Sequence, residues 1–129
     1  MLIDIELKAF GNSIGLQNLQ LNENGCLKFI LEQNRTVHVE KAEEDVFFFI
    51  LKTYDLAPLP YETYEKALTV PLQHPHAPFA LQAIAKTDHD IGFFTKIPEV
   101  ACDQPTIYKL FKYLILCCDY LESTVGTFA

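Results

Sequence analysis

The closest pair of potential metal ligands in the sequence is His74 and His76, separated by Pro75. Proline splays the backbone between them, no cysteine or carboxylate lies within a few residues, and a tetrahedral zinc site needs two more ligands. They read as two exposed loop histidines. Cys117 and Cys118 are consecutive in an otherwise apolar stretch, with no Lys, Arg or His adjoining them to lower a thiol pKa. Packing explains them better than nucleophilic chemistry, since a free cysteine behaves as a small buried hydrophobe. Glu40, Glu43, Glu44 and Asp45 lack the glycine and alternating oxygen ligands of a calcium loop and read as a solvated turn. None of the five glycines builds a phosphate-binding loop, and neither serine, Ser13 nor Ser123, sits in a Gly-x-Ser-x-Gly elbow. No spacing ties His38 or His89 to a nucleophile. The sequence therefore predicts no catalytic residue, no metal and no cofactor. A thiol or metal enzyme using Cys117, Cys118, His74 or His76 is the weakest of the readings.

Ten Lys and Arg against 17 Asp and Glu give a net charge of −7. A surplus of carboxylates repels phosphate backbones and anionic headgroups, which argues against nucleic acid and membrane surfaces as partners. Half of the 129 residues are apolar, enough to fold and of a length that predicts one domain over residues 1–129. The longest apolar run, residues 46–51, is far short of the roughly 20 residues a spanning helix needs. The N-terminal stretch carries Asp4 and Glu6 and no basic region, unlike a signal peptide. Four cysteines, two of them adjacent, are few for a disulfide framework. The expectation is a soluble, cytoplasmic, thiol-reduced protein.

Period and punctuation supply the elements. Ile3, Leu7, Phe10 and Ile14 make one stripe of a first helix that Gly15 can end. A leucine-bearing connection leads to Asn24-Gly25 and a strand over 26–32 with Leu27, Phe29 and Leu31 on one face. A three-residue loop of Gln33, Asn34 and Arg35 would pair Leu31 with Val37 and Phe29 with Val39, giving one apolar face with the strand over 36–40. The strand over 46–54 is apolar on both faces, with Phe47, Phe49 and Leu51 opposite Val46, Phe48 and Ile50, so its second face needs cover from a helix, another subunit or a ligand. Pro60 opens, and Pro71 closes, a short helix over 61–70. A second hairpin spans 80–87 and 92–97. A last helix begins at Asp103 or Gln104 and runs to about residue 122, leaving 123–129 as a frayed tail. At about 100° per residue, Leu116 falls within the polar arc of that helix, beside Lys109, Lys112, Asp119 and Glu122. The class is α+β, a twisted antiparallel sheet in the order α-β-β-β-α-β-β-α. The double-faced strand, the misplaced Leu116 and the aromatic second helix all point to self-association or partner binding.

This order, in a small acidic chain, resembles the class I type III secretion chaperones of the Tir chaperone family. The likeness is carried by residues 10–21 (FGNSIGLQNLQL), similar to that family's first-helix ending and leucine-bearing connection, and by Asn24-Gly25-Cys26-Leu27 entering the first strand. The resemblance implies a non-catalytic dimer of the bacterial cytoplasm, with itself or with a related chaperone chain, that keeps the N-terminal segment of secreted effectors extended for export. It implies client contacts at Ile5, Phe10, Leu27, Phe29, Leu31, Phe47 and Phe49, and a dimer contact at Tyr61, Tyr64, Leu68 and Leu72. Such a segment can add a strand to a sheet edge while its apolar side chains enter grooves. The alternative is a small dimeric adaptor or regulator of the same topology that binds a folded partner.

Overall fold

The computed structural model describes residues 2–55, 59–74 and 77–125. Helix α1 (Leu2–Ser13) is followed by strands β1 (Cys26–Leu31), β2 (Arg35–Ala42) and β3 (Asp45–Thr53), helix α2 (Tyr61–Thr69), strands β4 (Gln82–Ala85) and β5 (Asp90–Pro98), and helix α3 (Gln104–Val125). Short 3-10 turns follow α2 and β5. The five strands form one antiparallel sheet ordered β1-β2-β3-β5-β4, so β1 and β4 are its edges. The predicted class and element order hold.

Val37, Val39, Val46, Phe48, Ile50 and Phe93 point from the sheet into the core, where they meet Ile3, Leu7 and Phe10 of α1 and Ile107, Leu110, Leu114 and Leu121 of α3. Burying each such side chain contributes about 2 kcal/mol. Phe111 is the hub of this packing. Its ring stacks on Phe10 at 5.2 Å between centroids and meets Phe48 edge-on at 5.6 Å and Phe29 at 6.5 Å. Helix α1 is fastened to the 3-10 turn after β5 and to α3 by side chains that reach free amides. Glu99 accepts from Ile3 N near the start of α1, and Glu6 of α1 accepts from Gln104 N at the start of α3. Asp103 caps α3 through Thr106 N at 2.9 Å.

Four expectations change. The first hairpin turns over Glu32, Gln33 and Asn34, so Phe29 pairs with Val37 and Leu27 with Val39, two residues from the predicted register. The apolar faces are preserved because a shift of two keeps the side-chain alternation. Arg35, expected in the loop, instead opens β2 on the core side, where acidic groups of α3 hold it. The last helix continues to Val125, so 123–125 are helical; the rest of the expected tail lies outside the described residues. His74 is not an exposed loop residue: it is half-buried and its ring meets Tyr113 edge-on at 6.0 Å. His76 lies outside the described residues.

The double-faced strand is real. Val46, Phe48 and Ile50 face the helices, while Phe47 and Phe49 cover the opposite face themselves by stacking at 6.1 Å, and Phe49 stacks on Phe94 of β5 at 5.4 Å. Gly92 opposite Leu51 lets β5 approach closely, since a Cβ there would lie 1.8 Å from the Ile50 carbonyl oxygen.

Candidate binding site

The end of α1 starts the site. Leu16 N donates to Gly11 O at 2.8 Å and Gly15 N to Asn12 O at 3.4 Å, with Gly15 at φ +82°. This double closure needs a left-handed residue, which glycine supplies without a side-chain clash. It turns Leu16 back beside Phe10 and Ile14. The edge strand β1 supplies Phe29, Ile30 and Leu31, and α3 supplies Tyr108, Phe111, Ile115 and Leu116. Together they line an open cleft of about 510 Å³ whose walls are apolar except for the Tyr108 hydroxyl and the Lys112 ammonium. Leu116 is 38% exposed and Ile30 78%, so the rim is open to solvent.

Of the seven sequence-predicted client residues, Phe10, Phe29 and Leu31 line this cleft. Phe47 and Phe49 lie on the opposite face of the sheet, beside a smaller groove formed by His38, Glu40, Phe49, Leu51, Ile84 and Lys86. Leu27 packs against the core, and Ile5 is 67% exposed on α1 without lining either hollow. Of the residues expected at a dimer contact, Tyr61, Leu68 and Leu72 are exposed on one side of α2 and its 3-10 extension. Tyr64 turns inward, packs on the core and donates its hydroxyl to Asp88 O at 3.2 Å. Sequence reasoning missed Ile14, Leu16, Ile30, Tyr108 and Ile115. It had the signal for the α3 wall in Leu116, the one apolar residue on a polar arc.

Further along α3 from the cleft lies a charge cluster built around a buried arginine. Arg35 is 6% exposed; its guanidinium donates to Asp119 Oδ1 at 2.6 Å and through Nε to Glu122 Oε2 at 3.0 Å. Lys52 pairs with Glu122 at 3.5 Å and donates to Gln33 O at 2.5 Å. Burial works against the charge of Arg35, yet the hydrogen bonds to Asp119 and Glu122 leave its pKa raised. The only arginine of the chain is therefore committed to the fold.

Three of the four thiols, Cys102, Cys117 and Cys118, are buried. All four cysteines are free, and burial pushes Cys117 up to about 11 and Cys118 and Cys102 up to about 12. A thiol held neutral at physiological pH is a poor nucleophile. Among the described residues, no group of three His, Cys, Asp or Glu side chains is arranged to hold a metal, and no helix is long and apolar enough to cross a membrane.

No family model and no curated protein matches the sequence. Solved structures do. A chain of the HopA1–SchA chaperone–effector complex superposes with a TM-score of 0.65 at 17% identity, covering 95% of this chain and 91% of that one. The Yersinia pestis type III secretion chaperone SycH, solved with a stable fragment of YscM2, gives 0.62 at 16%, covering 94% and 98%. The ExsC–ExsE complex gives 0.67 at 13%, covering 93% and 88%. The chain has the type III secretion chaperone fold. Within that chaperone fold, the cleft falls between the first helix, the edge strand and the last helix, and the exposed side of α2 lies apart from it.

Proposed function

We propose that the protein is a non-catalytic type III secretion chaperone of the bacterial cytoplasm. It acts as a single domain over residues 1–129 and holds the N-terminal segment of a secreted effector extended for export. The observation that carries this reading is the open apolar cleft beside the edge strand β1. An edge strand offers unpaired backbone N–H and C=O groups, so an unfolded segment can pair with β1 while its apolar side chains enter the cleft over Phe10, Phe29 and Leu31. The aromatic strip of Phe47 and Phe49 offers a second contact on the other face of the sheet, and Ile5 and Leu27 border the same elements. Solved structures of the same fold, one a chaperone–effector complex and one a type III secretion chaperone with a fragment of YscM2, support the reading.

The protein acts as a homodimer through the exposed Tyr61, Leu68 and Leu72, with Tyr64 as their support from beneath. Three large apolar side chains exposed on one side of a short helix are best accounted for by a second copy. A related chaperone chain could take the same place.

The test is affinity capture of the tagged protein from its native cytoplasm, with mass spectrometry of the bound chains and light scattering of the eluted complex. A dimer carrying the N-terminal region of a secreted protein is the expected result. A folded cytoplasmic partner bound away from the cleft would replace this reading with that of an adaptor.

A further inference from the structure

The cleft contains one charged side chain, Lys112. Of the nine other cations, Arg35, Lys52, Lys41 and Lys96 pair with carboxylates of the fold, and Lys8, Lys28, Lys66, Lys86 and Lys109 stand outside this cleft. Lys112 has no hydrogen-bond or ion-pair partner among the described residues. No carboxylate occupies the α3 positions three or four residues away, where Tyr108, Lys109, Ile115 and Leu116 stand. The next carboxylates along the helix, Asp119 and Glu122, are engaged by Arg35. A chain of net charge −7 thus leaves an unpaired ammonium at the wall of its main apolar groove.

Resting on the reading of this cleft as the client site, we propose that Lys112 is a specificity determinant that selects an acidic extended segment, one placing an Asp or Glu beside its apolar anchors. The apolar walls accept any segment of suitable shape and so discriminate poorly. An ammonium beside them lowers its free energy next to a carboxylate and raises it next to another cation. A segment seated on the apolar walls displaces water from around the exposed ammonium, which strengthens both effects relative to the open cleft. The acidic surface of the rest of the protein repels such a segment, so the carboxylate favours this groove over other sites on the chain.

The experiment selects random peptides about 12 residues long by display against the wild-type protein, Lys112→Glu and Leu116→Asp. Wild-type selections are expected to enrich alternating apolar residues with an adjacent Asp or Glu, and Lys112→Glu selections to enrich Lys or Arg at that place. A resynthesised Glu-bearing peptide should bind Lys112→Glu about fivefold more weakly, with the difference shrinking at high salt. The same charge composition recovered by both proteins would overturn the role of Lys112 while leaving the cleft intact. Enrichment unchanged by Leu116→Asp, or absent from the wild type, would overturn the cleft as the client site and the selectivity with it.

Discussion

The Arg35 guanidinium donates to Asp119 Oδ1 at 2.6 Å, joining the first residue of β2 to the C-terminal half of α3. The same guanidinium reaches Glu122, one turn further on, which also pairs with Lys52 of β3. One cluster centred on a buried arginine therefore ties the C-terminal half of α3 to β2 and β3.

Removing Arg35 strands Glu122 next to a single partner and leaves Lys52 as the only cation of the cluster. Arg35→Ala should cost about 2 kcal/mol, the scale of hydrogen bonds to charged groups, because Asp119 stays solvated and Glu122 keeps Lys52. Denaturant titration measures it. A change below about 0.5 kcal/mol, typical of surface positions, would show the cluster to be solvated.

The cleft and the core can be separated on one helix. Leu116→Asp places a charge on an exposed wall and should abolish client capture with little change in melting temperature. Leu114→Ala empties a fully buried site and should cost about 3 kcal/mol while leaving capture intact in the folded fraction. The reverse pattern in pull-down and thermal melts would put the binding surface elsewhere.

Leu68 is exposed on α2 and, in the proposed dimer, is covered by the second copy. Leu68→Asp would bury an unpaired carboxylate there and should convert dimers to monomers. Unchanged mass in light scattering would move the contact off this helix.

A methyl group at position 92 has no space against the Ile50 backbone. Gly92→Ala should force β5 away from β3 at a cost of about 3 kcal/mol, the upper end for overpacking. It is measurable by denaturant titration; a near-neutral result would mean the two strands relax freely.

His38 stands on the outer sheet face near Lys86, Lys28 and Glu40. Burial first, then the two lysines, hold its pKa below the ordinary 6.5, against a smaller opposing pull from Glu40. The unfolded chain therefore takes up the proton first as pH falls. The stabilisation is complete above pH 6.5 and is lost as pH drops from there through the lower folded-state value. Melting temperature should fall more steeply between about pH 7.5 and about pH 5.5 in the wild type than in His38→Gln. Parallel curves would remove His38 from the account.

The order of elements was legible because each has its own period and punctuation. Ile3, Leu7 and Phe10 repeat at helical spacing, β3 is a short run of β-branched and aromatic residues, and Asp103 with Pro105 announces α3. The hairpin register was not, because alternation decides only which face a side chain takes and is blind to a slip of two. The observed register puts Gln33 and Asn34 at positive φ in the turn and brings Arg35 to acidic partners on α3 more than 80 residues away, neither of which alternation reveals. The cleft was half legible for the same reason. Phe10, Phe29 and Leu31 could be named from their own elements, whereas Ile14, Leu16 and Tyr108 become a wall only once α1 and α3 lie side by side. Leu116 was the exception, since an apolar residue on a polar arc is visible without the partner elements.

The most direct test of the central claim is hydrogen exchange of the backbone amides, measured on the protein alone and bound to the captured effector segment. The account predicts new protection along β1 and around Tyr108, Lys112 and Leu116 of α3, together with protection of a short extended stretch of the segment. Protection confined to other surfaces, with β1 exchanging as in the free protein, would contradict it.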